Sequence, residues 1–281
     1  MSRNQDRLGG TQQQDTNPPA HIMGEGGFSF VVPTEFVELP SGGRHYHEGH
    51  PLHGETAIEI KQMTAKEEDM LTSKTLLKKG VALDRVISSL IVNKTIDADS
   101  LLVGDRNAII VSTRVSAYGN DYTTKVGCPA CGVTQQYSFD LNSANVYGGE
   151  DLGTVGTTDN GNGTFNIDLE RTKVSVTFKL LTGRDEKAFL SGIELDKKQR
   201  VDRNVTRQLS GMIVAVNGDS NPEAIKYLVH NIPSADARHL RLAYRLTSPN
   251  IDLAQHFECS ECDHAQDMEV PLNADFFWPD R

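Results

Sequence analysis

Apolar positions along the chain first repeat with a period of two. Phe28, Phe30 and Val32 alternate in "FSFVV", the pattern of a strand with one buried face. The period then lengthens in "IEIKQMTAKEEDML". Thr64 followed by Glu67 has capping-box spacing and predicts a helix from there to Gly80, after Lys78 and Lys79. In "VALDRVISSLIV", Leu83, Val86, Ile87, Leu90 and Ile91 recur at helical spacing and form one apolar stripe. A third helix is expected from about Asp99 through "LLVGDRNAIIVSTRVSAYG", closing at Gly119. Three successive helices with short connections imply a small packed bundle.

Alternation returns with Tyr137, Phe139 and Leu141, and again with Val174, Val176 and Phe178. Between them "GGEDLGTVGTTDNGNGT" (148–164) has no period and is expected to be a loop. "RDEKAFLSGIEL", "VDRNVTRQLSGMIVAV" and "SADARHLRLAYRL" predict three more helices, the last stopped by Pro249. In "DMEVPLNADFFW", Met268, Val270 and Leu272 fall on one strand face. The expected fold class is α+β: a helical core, a small antiparallel zinc-ribbon-like module implied by the Cys-x-x-Cys pairs at Cys128/Cys131 and Cys259/Cys262, and a disordered N-terminal arm. The expected division is an arm (1–26), a strand and helical bundle (27–120), a first knuckle with hairpin and Gly-rich loop (121–181), a helical segment (182–250), and a second knuckle with a C-terminal strand (251–281). The arm assignment rests on composition, since residues 1 to about 26 carry almost no large apolar side chains.

Composition narrows the function. The 281 residues carry a net charge of −10, which argues against a general nucleic-acid binder. No run of about 18 apolar residues is present to span a membrane. No apolar stretch follows the first basic residues, so a secretion signal is not expected.

Four cysteines carry the clearest chemistry. "CPACG" supplies Cys128 and Cys131, and "CSECD" supplies Cys259 and Cys262. Each Cys-x-x-Cys sits on a turn beside a strand, and the two-residue gap lets both sulfurs converge on one cation. Four thiolates fill a tetrahedral zinc, which makes a structural site with no vacancy for water. A redox disulfide is the main rival, because Cys-Pro-x-Cys also occurs in oxidoreductases. There the first cysteine caps a helix, whereas Gly132 and the strand pattern after it point to a turn between strands.

A second constellation is "HYHEGHPLH", with His45, His47, His50 and His53. Imidazole is a common metal ligand, and a metallohydrolase using His45, His47 and His50 is one alternative function. Glu48 is the only acid among them, and Gly and Pro mark the stretch as a bending loop, so solvent-facing or packed loop histidines are the expectation. No catalytic residue is assigned. For Asp105 and Arg106 in "GDRN", a buried ion pair or packing contact is expected.

"ELPSGG", "EGHPLHG", "IEIKQMTAKEEDMLTSK", "LLKKGVALDR", "LLVGDRNAII" and "SAYGNDYTTKVGCPACG" run nearly without break from Glu38 to Gly132. Together they resemble a baseplate protein family of T-even-like contractile-tailed bacteriophages, whose members are hub or hub-assembly proteins. The resemblance implies assembly, not turnover: a non-enzymatic protein with other baseplate or hub proteins as partners, in the virion tail or in the host cytoplasm during assembly. It carries no catalytic residues over. Family members are similar around Cys128 and Cys131. "RHYHEGHPLH" departs from the family, where fewer histidines precede the turn. A zinc-ribbon nucleic-acid binder is the other alternative, but Asp263, Asp267 and Glu269 flank the second cysteine pair where Lys or Arg would be needed.

Overall fold

The computed structural model describes residues 21–23, 29–78, 80–149, 152–270 and 274–277. Strands β1 (His21–Met23) and β2 (Ser29–Val31) form an antiparallel pair, followed by the pair β3 (Thr34–Glu38) and β4 (Ala57–Lys61). The loop between β3 and β4 holds the histidines. Helices α1 (Ala65–Thr72), α2 (Lys74–Lys78), α3 (Ala82–Leu90) and α4 (Val103–Tyr118) come next. The hairpin β5 (Asp121–Gly127)–β6 (Thr134–Asp140) carries the first cysteine pair.

Strand β7 (Asn145–Tyr147) precedes β8 (Thr157–Asp159), β9 (Thr164–Asp168) and β10 (Ser175–Lys179). The hairpin of α5 (Gly183–Gln199) and α6 (Asn204–Met212) leads into β11 (Ile213–Val216), which completes an antiparallel sheet in the order β11-β10-β9-β8. Helices α7 (Pro222–Asn231) and α8 (Ser234–Thr247) return the chain to β12 (Asn250–Asp252), which pairs with β7. The last hairpin, β13 (Ala254–Glu258)–β14 (Ala265–Glu269), carries the second cysteine pair. Helices and small antiparallel sheets make the fold α+β, as the sequence pattern implies.

One contiguous apolar core joins these parts, from Ile60 and Ile87 through Ile109 and Phe178 to Phe257. On α3 the expected stripe is largely buried: Val86, Ile87, Leu90 and Ile91 are each 1% exposed. Fully buried Arg114 on α4 ties the cysteine-bearing part to the helices. Its guanidinium donates to the carbonyls of Phe276 (2.7 Å), Gly119 (2.6 Å) and Asp121 (3.1 Å). It thereby satisfies backbone oxygens where α4 ends and β5 begins.

Several elements differ from the sequence expectation. The helix expected from Thr64 to Gly80 breaks at Ser73, whose backbone is extended. At its start the Thr64 amide and hydroxyl both donate to Glu67, and Glu67 also accepts from Ser89 on α3. The helix expected from Asp99 is a single 3-10 turn at Ala98–Ser100, an extended Leu102, and only then α4. Leu102 is extended because it bridges to Thr182, and its amide donates to the Tyr46 hydroxyl. "VDRNVTRQLSGMIVAV" divides into α6 and β11, since the β-branched end pairs with β10. Helix α7 was not expected, although Asn221 before Pro222 is a helix-start signal, with the Asn221 side chain accepting from the Glu223 amide. Part of the Gly-rich loop is ordered as β8 and the first residue of β9. Phe30 is 54% exposed while Val32 is buried, so that alternation does not define one inward face. The expected arm lies outside the described residues apart from His21–Met23, which pair with β2; Phe28 and Leu272 also lie outside them.

Candidate metal centre

Each Cys-x-x-Cys occupies the turn of a hairpin, and the two turns are built alike. The Cys128 amide donates to the Val133 carbonyl, and the Gly132 amide donates back to the Cys128 carbonyl. At the second turn the Cys259 amide donates to His264 and the Asp263 amide to Cys259. The residue after each second cysteine takes the left-handed conformation, Gly132 at φ 74° and Asp263 at φ 52°. Glycine adopts this region freely, and aspartate is one of the few other residues that visit it. Both turns therefore aim two sulfurs the same way.

Strands β6 and β13 belong to separate sheets and are stapled together by side chains. Gln135 donates to the Glu258 carbonyl (3.1 Å) and Tyr137 to the His256 carbonyl (3.0 Å). Gln255 accepts from the Asp140 amide and donates to its carbonyl. Beneath them the rings of Tyr137 and Phe257 lie 5.1 Å apart. Fixing the two hairpins fixes the sulfurs. Cys128 Sγ lies 3.7 Å from Cys262 Sγ, and Cys131 Sγ lies 3.7 Å from Cys259 Sγ. All four sulfurs fall within 4.8 Å of one another.

That spacing suits a four-coordinate cation. Zinc at about 2.3 Å from each of four tetrahedral sulfurs separates those sulfurs by about 3.8 Å. It does not suit a disulfide, whose sulfurs lie about 2.05 Å apart, and all four cysteines are free. The thiols are electrostatically unequal. The Cys131 amide and further backbone donors hold Cys128 down to about 6. At Cys262 the His264 amide pulls the same way, but burial and the neighbouring sulfurs outweigh it and push the thiol up to about 12. Four negative sulfurs this close repel one another, and a cation between them removes the conflict.

The histidines do not converge. His45 is buried against Phe165, with ring centroids 5.5 Å apart. Exposed His47 contacts its neighbour's carbonyl, at Glu48. His50 Nε2 meets Ser100 Oγ at 2.9 Å and its ring stacks on Tyr46, while His53 Nδ1 meets the Tyr46 carbonyl at 2.6 Å. Among the described residues, the four cysteines form the one group of His, Cys, Asp and Glu placed to hold a metal.

Asp105 and Arg106 are both buried, as expected, but they do not pair with each other. Arg106 bonds Asp84 at 2.6 Å. Asp105 accepts from the Ser41 amide and hydroxyl and from the Tyr46 hydroxyl, anchoring the histidine loop to the first turn of α4. Burial raises the Asp105 pKa despite those donors, and raises that of Tyr46 further.

Fold and site together define an α+β protein in which two distant hairpins bring four thiols to one point. A family model described as T4 bacteriophage base plate protein matches residues 32–278, and the chain belongs to that family. It is a phage baseplate protein, and the resemblance noted over Glu38–Gly132 extends across nearly all of it. No curated protein and no solved structure matches the chain. No described helix is long and apolar enough to cross a membrane.

Proposed function

We propose that the chain is a non-enzymatic structural or assembly protein of the baseplate hub region, with one structural zinc held by Cys128, Cys131, Cys259 and Cys262. The observation that carries the zinc reading is the 3.7 Å spacing of sulfurs from opposite hairpins, close to the edge of a zinc–thiolate tetrahedron. Family membership carries the baseplate reading. The metal would complete the short hairpins and fasten the chain from Asp121 to Asp140 onto residues 254–269. No position is left open for substrate, so the metal's contribution is folding free energy. Its surroundings do not suit nucleic acid: Glu258, Glu261, Asp263 and Asp267 are exposed around the second turn.

Metal analysis of the purified protein should find one zinc per chain, lost when all four cysteines are replaced by serine. Stoichiometric zinc in that variant would overturn the assignment. For the hub, tagged protein purified from infected cells should retain other baseplate proteins, and recovery of none would sink that reading. Mass spectrometry of purified virions separates the two forms of the proposal, a retained subunit from an assembly factor that departs.

A further inference from the structure

Away from the cysteines, a groove of about 930 Å³ runs between α8, the first turn of α4 and the chain from Pro249 to Leu253. Its α8 wall presents Arg238, Arg241 and Arg245. They fall at i, i+3 and i+7, one helix face, flanking the buried stripe of Ala237, Leu240 and Ala243. Arg238 and Arg245 are exposed, and none of the three makes an ion pair among the described residues. Among the described residues, the one hydrogen bond of this trio runs from Arg241 Nε to the Ala237 carbonyl of its own helix, at 3.3 Å. Three guanidiniums with no carboxylate partner among the described residues, gathered in a concave site, stand out in a chain with 38 acidic residues and a net charge of −10.

We infer that this groove binds an acidic, extended segment of another protein. A helix rises 1.5 Å per residue, so the three arginines are spaced by about 4.5 and 6 Å along the axis. Alternate residues of an extended strand lie about 6.6 Å apart on one face. Carboxylates at every second position would therefore meet successive arginines, whose planar forks take a carboxylate through two hydrogen bonds. Leu242 and Ile251 also line the groove and would accept small apolar side chains between the acids. Asp252 and Glu269 also stand in the lining, which favours a segment with a few spaced carboxylates over a nucleic-acid strand charged at every nucleotide. Baseplate membership makes a protein the natural occupant. The inference is independent of the metal.

The test is fluorescence anisotropy of the full-length chain with a labelled peptide of about twelve residues, Glu alternating with Ser or Leu. Saturable binding that weakens with added salt is expected, and R238E/R245E should weaken it about tenfold or more. K197E/K198E, an equal charge change on exposed α5 residues outside the lining, should leave it unchanged. R238Q/R245Q, which removes charge without reversing it, should give a smaller loss and guards against misfolding of the first variant. Absence of saturable binding, equal binding by R238E/R245E, or tighter binding of single-stranded DNA of matching length would each overturn the proposal.

Discussion

Among the described residues His45 Nδ1 is buried and has no hydrogen-bond partner, an arrangement that tolerates the neutral ring and opposes the charged one. Burial lowers its pKa from the ordinary 6.5, against the pull of Asp159 and Asp105 and with help from Arg44. The sign follows directly. As pH falls, the unfolded chain takes up this proton first, so the neutral ring's contribution is present above about 6.5 and declines below it. Thermal melts from about pH 8 to about pH 5 should show that decline, and His45→Phe should flatten it. The aromatic replacement keeps the contact with Phe165 and removes the unpaired nitrogen, so its stability at neutral pH should match or exceed the parent's. Asp105, with its pKa raised by burial, pulls the profile the other way and is kept in both proteins. Identical slopes for the two proteins would refute this account.

Close backbone approach decides the geometry of the elements. A Cβ at Gly104, in the first turn of α4, would lie 2.0 Å from the Pro249 carbonyl oxygen. Without that side chain, α4 packs directly on the chain that leads from α8 into β12. Gly104→Ala should force the two apart and lower stability by about 1–3 kcal/mol in denaturant titration. Gly153→Ala, where an added Cβ meets nothing within 4 Å, should be near neutral; equal effects would refute the packing argument. The α5–α6 hairpin rests on a different device. Buried Asp196 takes Arg203 at 2.5 Å and Arg207 at 2.7 Å. Gly192 leaves room for the Arg207 guanidinium to lie against α5. Thr182 and Asp185 form a capping box at the start of α5, with the spacing seen at Thr64 and Glu67. The helical segment expected from residue 182 therefore begins where the sequence pattern places it.

At the scale of the molecule, the cysteine hairpins and the helices share one core, and the proposed zinc would bear on them to different degrees. Stripping the proposed zinc with a chelator should speed amide hydrogen exchange in β5–β6 and β13–β14 while α3 and α4 stay protected. Uniform acceleration would show that the metal supports the entire core. By itself the sequence determined the helices at α3, α5 and α8, the strand at β10, the α+β class and the likeness of the two cysteine turns. These are readable because period, capping and turn chemistry act over a few residues, where neighbours in sequence are neighbours in space. Only the tertiary structure decided that side chains staple β6 to β13, bringing Cys128 within 3.7 Å of Cys262. It also split the expected helices at Ser73 and Ile213, gave the four histidines no common metal position among the described residues, and separated Asp105 from Arg106. Each of those outcomes depends on partners distant along the chain, such as Thr182 for Leu102 and Ser41 for Asp105, and local pattern carries no record of them.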